Sequence, residues 1–194
     1  MPKRSYQVRV IAGDLGGRLL TYPAAASVRP TMQRTKESVF ESLGGDLAGM
    51  VVIDLYAAAG GVGIEAISRG AGRVHFVERD RSALACLREN LERCGIDARR
   101  FRVHAQDVLE FLRTPATRRI QPGVVYADPP YGATDAAVLL EFLTGIDYSP
   151  RSVLVLEHPK DVELPAPRGF VRNRLKTFGR TNVSFFVPVE GDAL

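Results

Sequence analysis

Short apolar runs alternate with segments of helical periodicity from residue 51 to residue 156. Each run is long enough for a buried strand, and the segments between them repeat apolar positions at the spacing of one helix face. Strands that alternate with helices form βαβ units, which build a parallel sheet. The predicted strands are 51–55, 73–78, 100–104, 123–127 and 152–156, and the predicted helices are 61–69, 81–93, 106–113 and 134–144.

The C-terminal part of the chain follows a different pattern. Residues 170–176 and 183–189 are apolar-rich and flank a turn centred on Gly179. Two such runs joined by a short turn are typical of a β-hairpin. We therefore predict an antiparallel hairpin that completes the sheet.

The N-terminal part also departs from the alternation. The first 22 residues contain two apolar runs around a glycine-rich turn, which predicts another hairpin. Thr31 is expected to cap a helix that ends near Leu43. We predict an N-terminal hairpin and helix at residues 1–45, packed on a main α/β domain at residues 46–194.

The composition is that of an ordinary globular protein. The chain has 194 residues, of which 45% are hydrophobic and 25% charged. No apolar run approaches the ~20 residues of a membrane span, and no signal-peptide pattern opens the chain. Cys86 and Cys94 lie about 12 Å apart on one predicted helix, too far for a disulfide, and no Cys/His cluster has metal-ligand spacing. We expect a cytoplasmic monomer with reduced cysteines, no metal and no membrane partner.

Positive charge is concentrated in the N-terminal part. Residues 1–45 hold seven Lys or Arg against three Asp or Glu, whereas the remainder holds 19 of each. A second basic stretch, residues 168–180, contains no acid. Arginine pairs with phosphate through two parallel hydrogen bonds, so the asymmetry indicates an anionic partner at the N-terminal part.

Acidic residues follow four of the apolar runs. They are Asp54, Glu78, Asp128 and Glu157. In an open parallel sheet, ligands bind at the carboxyl ends of the strands. Four acids at corresponding positions therefore favour a polar ligand site along that edge.

The segment from Asp54 to Gly63 has the features of a nucleoside-binding loop. Small residues open a helix there, and Glu78 follows at the end of the next strand, where a carboxylate accepts hydrogen bonds from ribose hydroxyls. Asp107 is placed to accept from an adenine amine. A NAD site is disfavoured because Ala58 interrupts the glycine pattern and because Asp54 would repel a pyrophosphate. The same acid favours the ammonium group of S-adenosylmethionine.

Asp128-Pro129-Pro130-Tyr131 ends a buried apolar run. The prolines fix the backbone and carry no N–H, so nearby carbonyl oxygens are free to face a ligand. The carboxylate adds an acceptor, and the tyrosine adds a stacking surface. Such a corner suits a planar group that carries an NH2, such as a nucleobase amine.

Four segments together carry a family resemblance. They are Asp128 to Tyr131, residues 29–40 (RPTMQRTKESVF), residues 11–13 (IAG) and residues 63–70 (GIEAISRG). The chain from about residue 7 to residue 188 resembles the bacterial RsmD family. The resemblance implies S-adenosylmethionine as the cofactor and methylation of the exocyclic N2 of a guanine in 16S rRNA, either as naked RNA or in the assembling 30S subunit.

The resemblance also sharpens the predicted fold. It implies a Rossmann-like class I methyltransferase fold with a mostly parallel seven-stranded sheet, a C-terminal antiparallel hairpin, and a small N-terminal hairpin and helix. The family usually has Asp-x-[Phe/Tyr]-Ala-Gly-[Ser/Thr]-Gly, whereas this chain has Ala58 at the first glycine and an extra glycine at Gly61. The Ala58 methyl group is expected to crowd the cofactor, and a loop shifted onto Gly60 and Gly61 is expected to compensate.

These patterns assign three sets of residues. The catalytic set is Asp128, Pro129, Pro130 and Tyr131. The cofactor-binding set is Asp54, Tyr56, Ala57, Ala58, Gly60, Gly63, Glu78, Arg79, Asp107 and Val108. The RNA-binding set is Arg9, Arg18, Arg29, Thr31, Arg34 and Lys36.

The catalytic set implies a mechanism. The guanine leaves its base pair and enters the site, because its amine is inaccessible while stacked. Tyr131 stacks on the base, and the Asp128 carboxylate and the Pro129 carbonyl accept the two amine hydrogens. Asp128 is also expected to take the released proton.

Other functions fit parts of the pattern. An adenine-N6 methyltransferase of DNA or RNA also uses Asp-Pro-Pro-Tyr, and only residues 29–40 discriminate against it. A protein-glutamine methyltransferase is disfavoured by Asp128, because such enzymes favour asparagine there. Ala58 supports a non-catalytic RNA-binding protein on a methyltransferase fold, and it weakens a NAD oxidoreductase.

Overall fold

The computed structural model describes residues 6–23, 30–130 and 136–189. Strands and helices alternate through most of these residues, as the hydrophobic pattern predicts. The strands are β1 (Tyr6–Arg9), β2 (Leu19–Tyr22), β3 (Val51–Leu55), β4 (Arg73–Glu78), β5 (Phe101–Ala105), β6 (Val124–Ala127), β7 (Val153–Pro159), β8 (Phe170–Phe178) and β9 (Thr181–Pro188). The helices are α1 (Pro30–Ser42), α2 (Gly61–Ser68), α3 (Arg81–Arg93), α4 (Val108–Arg113) and α5 (Ala136–Leu143), with single 3-10 turns at 98–100 and 117–119.

Seven strands form the main sheet in the order β5-β4-β3-β6-β7-β9-β8. The first five of these strands run parallel, while β9 is antiparallel to both β7 and β8. The chain moves outward from β3 to β5 and then returns to β6 on the other side of β3. This reversal opens a crevice at the carboxyl ends of β3 and β6, where ligands bind in open α/β sheets. The predicted Rossmann-like sheet with its C-terminal hairpin is confirmed.

Apolar layers cover both faces of the sheet. On one face, Phe111 of α4 and Leu139 of α5 pack against β3, β6 and β7, and all of these core side chains are buried. On the other face, α2 and α3 cover β3 and β4, while Val39 of α1 packs against Tyr126 and Phe185. Burial on both faces explains why the central strands read as continuous apolar runs instead of alternating ones.

The N-terminal hairpin is attached to the core through Glu65, whose side chain is completely buried in α2. Its Oε2 accepts from the Ile11 amide at 2.7 Å and lies 3.2 Å from Lys36 Nζ, and its Oε1 accepts from the Ala12 amide at 3.0 Å and from Arg69 Nε at 2.9 Å. We call these five groups the Glu65 network. It joins the hairpin, α1 and α2 around one carboxylate.

Ser68, one turn further along α2, holds the same loop. Its hydroxyl donates to the Ala12 carbonyl and accepts from the Leu15 amide, and its carbonyl accepts from the Asp14 amide. Gly13 lies so close that an added Cβ would stand 1.8 Å from the Ser68 carbonyl oxygen. Two of the segments that carry the family resemblance, 11–13 and 63–70, therefore meet here as a structural contact.

Two local expectations are corrected. Helix α1 already includes Pro30, so Thr31 lies inside its first turn and does not cap it. Glu157 does not follow its strand but lies inside β7, whereas Asp54 lies inside β3, within the predicted strand 51–55. The division of the chain at residue 45 stays a prediction.

Candidate active site

A cleft of about 700 Å³ opens at the carboxyl ends of β3, β4, β5 and β6. Tyr56 and Ala58 of the loop after β3 form one wall, and Asp128, Pro129 and Pro130 after β6 form another. Glu78, Arg79, Asp107 and Val108 line the side formed by β4 and α4. The structure thus brings six of the ten predicted cofactor residues and the described part of the predicted catalytic corner into one cavity.

The loop from Asp54 to Gly63 takes its shape from buried contacts. Asp54, 1% exposed, accepts a hydrogen bond from the Gly63 amide at 2.9 Å across the start of α2. Gly60 has φ 86°, and a Cβ on Gly63 would stand 2.2 Å from the Phe76 ring. Neither glycine lines the cleft. Gly60 serves the left-handed start of the helix, and Gly63 allows α2 to pack closely on β4.

Ala58 occupies a backbone conformation that favours glycine. Its φ is 46°, and the neighbouring Tyr56 has φ 58°. The Ala58 amide donates to Glu78 Oε2 at 2.9 Å, which holds the loop over the cleft. A left-handed conformation costs an L-residue roughly 1–2 kcal/mol. The loop therefore keeps its fold despite the missing glycine, at the expense of backbone strain.

The extra glycine at Gly61 makes room for the N-terminal hairpin. A Cβ on Gly61 would stand 2.0 Å from the hydroxyl oxygen of Tyr22 in β2. Tyr22 is buried, and its pKa is raised by loss of hydration and by the nearby Asp54 charge. Gly61 is thus a contact between the hairpin and the start of α2, and not a replacement for the absent glycine at position 58.

The polar rim of the cleft is built on Glu78, Arg79 and Asp107. Glu78 Oε1 accepts from the amides of Arg79 and Asp80 at 2.7 Å each, so its carboxylate is rigidly held. Arg79 Nη1 lies 3.0 Å from Asp107 Oδ2, while Asp107 Oδ1 caps α4 through the Leu109 amide at 2.9 Å. These carboxylates present acceptors to the cleft. Sequence reasoning missed other lining residues: Pro23, Val77, Asp80, Ser82, Ala83, Gln106 and Leu109.

A narrower cavity of about 70 Å³ lies beside the cleft and shares Tyr56, Ala58 and Asp128 with it. Residues from the N-terminal part, Val8, Tyr22 and Lys36, form one side. The other side contains Asp54, Ala57, Gly61, Val62, Tyr126 and Glu157. Asp54 and Ala57, which we predicted to bind the cofactor, thus line this narrow cavity and not the cleft.

Three carboxyl groups of this narrow cavity have raised pKa values. Burial raises the pKa of Asp54 to about 7, with the charges of Glu78 and Asp128 adding to the effect. Asp128 is exposed toward the cleft, yet the protein around its carboxyl removes enough hydration to raise its pKa. Burial also raises the pKa of Glu157, and the adjacent Asp128 charge raises it further. Lys36, the one cation among the described residues that line this cavity, pairs with Glu65 instead.

The predicted RNA-binding residues divide into two groups. Arg9, Arg18 and Arg34 are exposed. Lys36 is only 6% exposed, and its Nζ donates to the Arg9 carbonyl at 3.0 Å and pairs with Glu65. Burial lowers the pKa of Lys36. We therefore correct the assignment of Lys36 as a phosphate contact, because its ammonium group lies inside the Glu65 network.

Three of the assigned side chains belong to segments that the structure does not describe. Arg29 and Tyr131 lie outside the described residues, and so does the side chain of Thr31.

Among residues 6–23, 30–130 and 136–189, no group of three or more His, Cys, Asp or Glu side chains has the arrangement of a metal site. No helix within those ranges is long and apolar enough to cross a membrane.

Comparison with known proteins agrees with this architecture. A family model described as conserved hypothetical protein 95 matches residues 8–187. YlbH of Bacillus subtilis is 34% identical over 181 residues, which cover 92% of this chain and 98% of YlbH. A Haemophilus influenzae protein named ribosomal RNA small subunit methyltransferase D is 32% identical over 181 residues, or 92% of each chain.

Solved structures show the same fold. A hypothetical protein of Thermus thermophilus is 31% identical with a TM-score of 0.76, covering 94% of this chain and 99% of that chain. A SAM-dependent methyltransferase of Agrobacterium tumefaciens has a TM-score of 0.65 at 18% identity, covering 97% of this chain and 70% of that chain. The matched family model spans nearly the whole chain, and each of the two relatives matches 92% of it. The chain therefore belongs to the conserved hypothetical protein 95 family, which is the RsmD family that its motifs resemble.

Proposed function

We propose that this protein transfers a methyl group from S-adenosylmethionine to the exocyclic N2 of a guanine in 16S rRNA. The observation that carries the proposal is the shared cavity, in which Asp128, Pro129 and Pro130 face the same space as Glu78 and Asp107. A nucleoside-binding rim and an amine-accepting corner are the two halves of an amino-methyltransferase site. The names of the relatives support rRNA as the substrate class.

The residues of the cleft fit the cofactor. A volume of about 700 Å³ is within the usual range for small-molecule sites. Glu78 is held for ribose hydroxyls, Asp107 offers an acceptor for an adenine amine, and Val77 and Leu109 supply apolar surface for the ring. When bound, S-adenosylmethionine supplies an electrophilic methyl group on a sulfonium centre.

The chain's own groups would orient and deprotonate the base. The Asp128 carboxylate and the Pro129 carbonyl would accept the two N2 hydrogens, which draws the nitrogen toward tetrahedral geometry and restores its lone pair. Pro129 and Pro130 add no N–H donors that compete for these acceptors. The raised pKa of Asp128 suits a group that takes up the proton released from the amine. Most of the acceleration would come from positioning and electrostatics.

Two basic surfaces are proposed to bind the RNA backbone. Arg9, Arg18 and Arg34 are exposed on the N-terminal hairpin and α1. Lys176 in β8 donates to Ser38 Oγ at 2.7 Å, which joins the acid-free strand β8 to α1. The exposed arginines of that second stretch are Arg168, Arg172, Arg174 and Arg180. Phosphate contacts of this kind predict an affinity that falls steeply with salt concentration.

A labelled-methyl assay tests the function. The wild-type protein should transfer label to 16S rRNA, either naked or in 30S particles, and Asp128→Ala should abolish transfer. A thermal shift with S-adenosylmethionine should remain in the variant, because the cofactor rim is intact. The matched control is Asp161→Ala, an exposed aspartate that lines neither the cleft nor the narrow cavity. Equal loss of cofactor binding and transfer in Asp128→Ala would contradict the assigned role.

A further inference from the structure

Glu157 lies beside the amine-accepting corner. Ala127, the last residue of β6, pairs with Leu156 of β7, so Asp128, directly after β6, lies next to Glu157 of β7. Adjacent strands are about 4.8 Å apart, and residues in one row of a parallel pair point to the same face. Both side chains line the narrow cavity next to the cleft. A ligand edge held by Asp128 therefore lies within reach of Glu157.

Tyr126 fixes the orientation of Glu157. The Tyr126 hydroxyl donates to Glu157 Oε1, and its ring, 6% exposed, packs with Val39, Val155 and Phe185. In the part of the chain that the structure describes, no donor reaches the second oxygen, Oε2. Tyr126 thus holds one carboxylate oxygen of Glu157 at the wall of the narrow cavity.

The charges around this pair favour a ligand with several N–H donors. Ionised carboxylates only accept hydrogen bonds. Lys36, the one cation among the described residues that line the narrow cavity, is already paired with Glu65. Burial disfavours the ionised form of such carboxyl groups, and hydrogen-bond donors on a ligand would stabilise that form.

We propose that Glu157 is a specificity-determining residue that accepts the N1–H of the target guanine while Asp128 holds the N2 amine. The inference rests on the proposed function of the same site. Guanine presents N1–H and N2–H2 as adjacent donors, whereas adenine presents a bare N1 acceptor beside its amine. An ionised Glu157 attracts the first edge and repels the second. Tyr126 is the positioning residue for this carboxylate.

The test uses 30S subunits reconstituted with 16S rRNA that carries either guanine or 2-aminopurine at the methylated position. 2-Aminopurine keeps the exocyclic amine but has no N1–H. For the wild-type protein, kcat/KM should be roughly 10- to 100-fold lower with 2-aminopurine than with guanine, as expected for the loss of a hydrogen bond to a charged group. This factor comes in addition to any difference in the reactivity of the two amines. For Glu157→Gln, whose amide also donates, the ratio between the two substrates should shrink toward one.

Three outcomes are distinguishable. A shrunken ratio in Glu157→Gln, with an unchanged ratio in the exposed control Glu163→Gln, supports the inference. If Glu157→Gln lowers kcat/KM equally for the two substrates and leaves their ratio unchanged, Glu157 acts only structurally and the inference fails. If the wild-type protein methylates no guanine N2, the proposed function itself fails. Fluorescence of the 2-aminopurine on binding gives an independent readout, since Glu157→Gln should bind this base no more weakly than wild type.

Discussion

Replacing Glu65 by glutamine should destabilise the protein strongly, because this one carboxylate satisfies four donors while fully buried. The change removes the negative charge and leaves the Lys36 ammonium, 6% exposed and 3.2 Å away, without its counterion. Breaking a buried ion pair from one side costs about 3–5 kcal/mol. Globular domains have a total stability of only about 5–15 kcal/mol. The loss should therefore be a large fraction of the free energy of unfolding.

Urea unfolding followed by circular dichroism measures this free energy. Glu163→Gln makes the same chemical change at an exposed position and should alter stability by less than about 0.5 kcal/mol. A Lys36→Met, Glu65→Gln double variant removes the charges of Lys36 and Glu65 and leaves only that of Arg69, so it should recover part of the loss, since removing both partners of a buried ion pair costs less than removing one. A loss below about 1 kcal/mol in Glu65→Gln would refute the role of the Glu65 network.

Other predictions concern the loop and the acids of the site. Ala58→Gly should relieve roughly 1–2 kcal/mol of backbone strain, which offsets the about 0.5–1 kcal/mol that glycine costs by making the unfolded chain more flexible, so thermal unfolding should show no loss of stability. Ala116→Gly, at an ordinary φ of −66°, should lose about 0.5–1 kcal/mol of stability. Equal losses of stability in the two variants would contradict the strain at Ala58. Gly61→Ala should destabilise the protein because the new Cβ would collide with the Tyr22 hydroxyl. A Gly61→Ala, Tyr22→Phe double variant should recover stability in an unfolding experiment, whereas additive losses would argue against the contact. Because burial raises the Asp128 pKa, its ionised, accepting form is lost at a higher pH than that of an ordinary aspartate. The value of kcat/KM should therefore fall as the pH is lowered from about 7 to about 5. A pH profile of kcat/KM that stays flat down to about pH 4 would exclude Asp128 as the acceptor.

The sheet was predictable because its strands are buried on both faces. Such strands have continuous apolar sequences, and the helices between them keep the 3.6-residue period. The position of the site followed from topology, since acids near the carboxyl ends of parallel strands meet at one edge. Asp54 shows the limit of that reasoning. The sequence indicates an acid at the edge, but only packing decides that its carboxylate lies inside β3 and binds the Gly63 amide.

Lys36 shows why charged residues are hard to assign from sequence. A lysine in a basic segment predicts a surface contact, because lysine is seldom buried. Its partner Glu65 is 29 positions away, and neither residue signals the other locally. The signal available was the motif at 63–70, whose acid is surrounded by small and apolar residues. Pro23 and Gln106 also line the cleft without a signal in the sequence, because they lie in loops that have no hydrophobic pattern of their own.

The central claim is that this site methylates a guanine at N2. The most direct measurement incubates the protein with labelled S-adenosylmethionine and small-subunit RNA or 30S particles, digests the RNA to nucleosides and identifies the labelled product. The proposed function predicts N2-methylguanosine as the labelled nucleoside. N6-methyladenosine, or no labelled nucleoside from either substrate, would contradict the account.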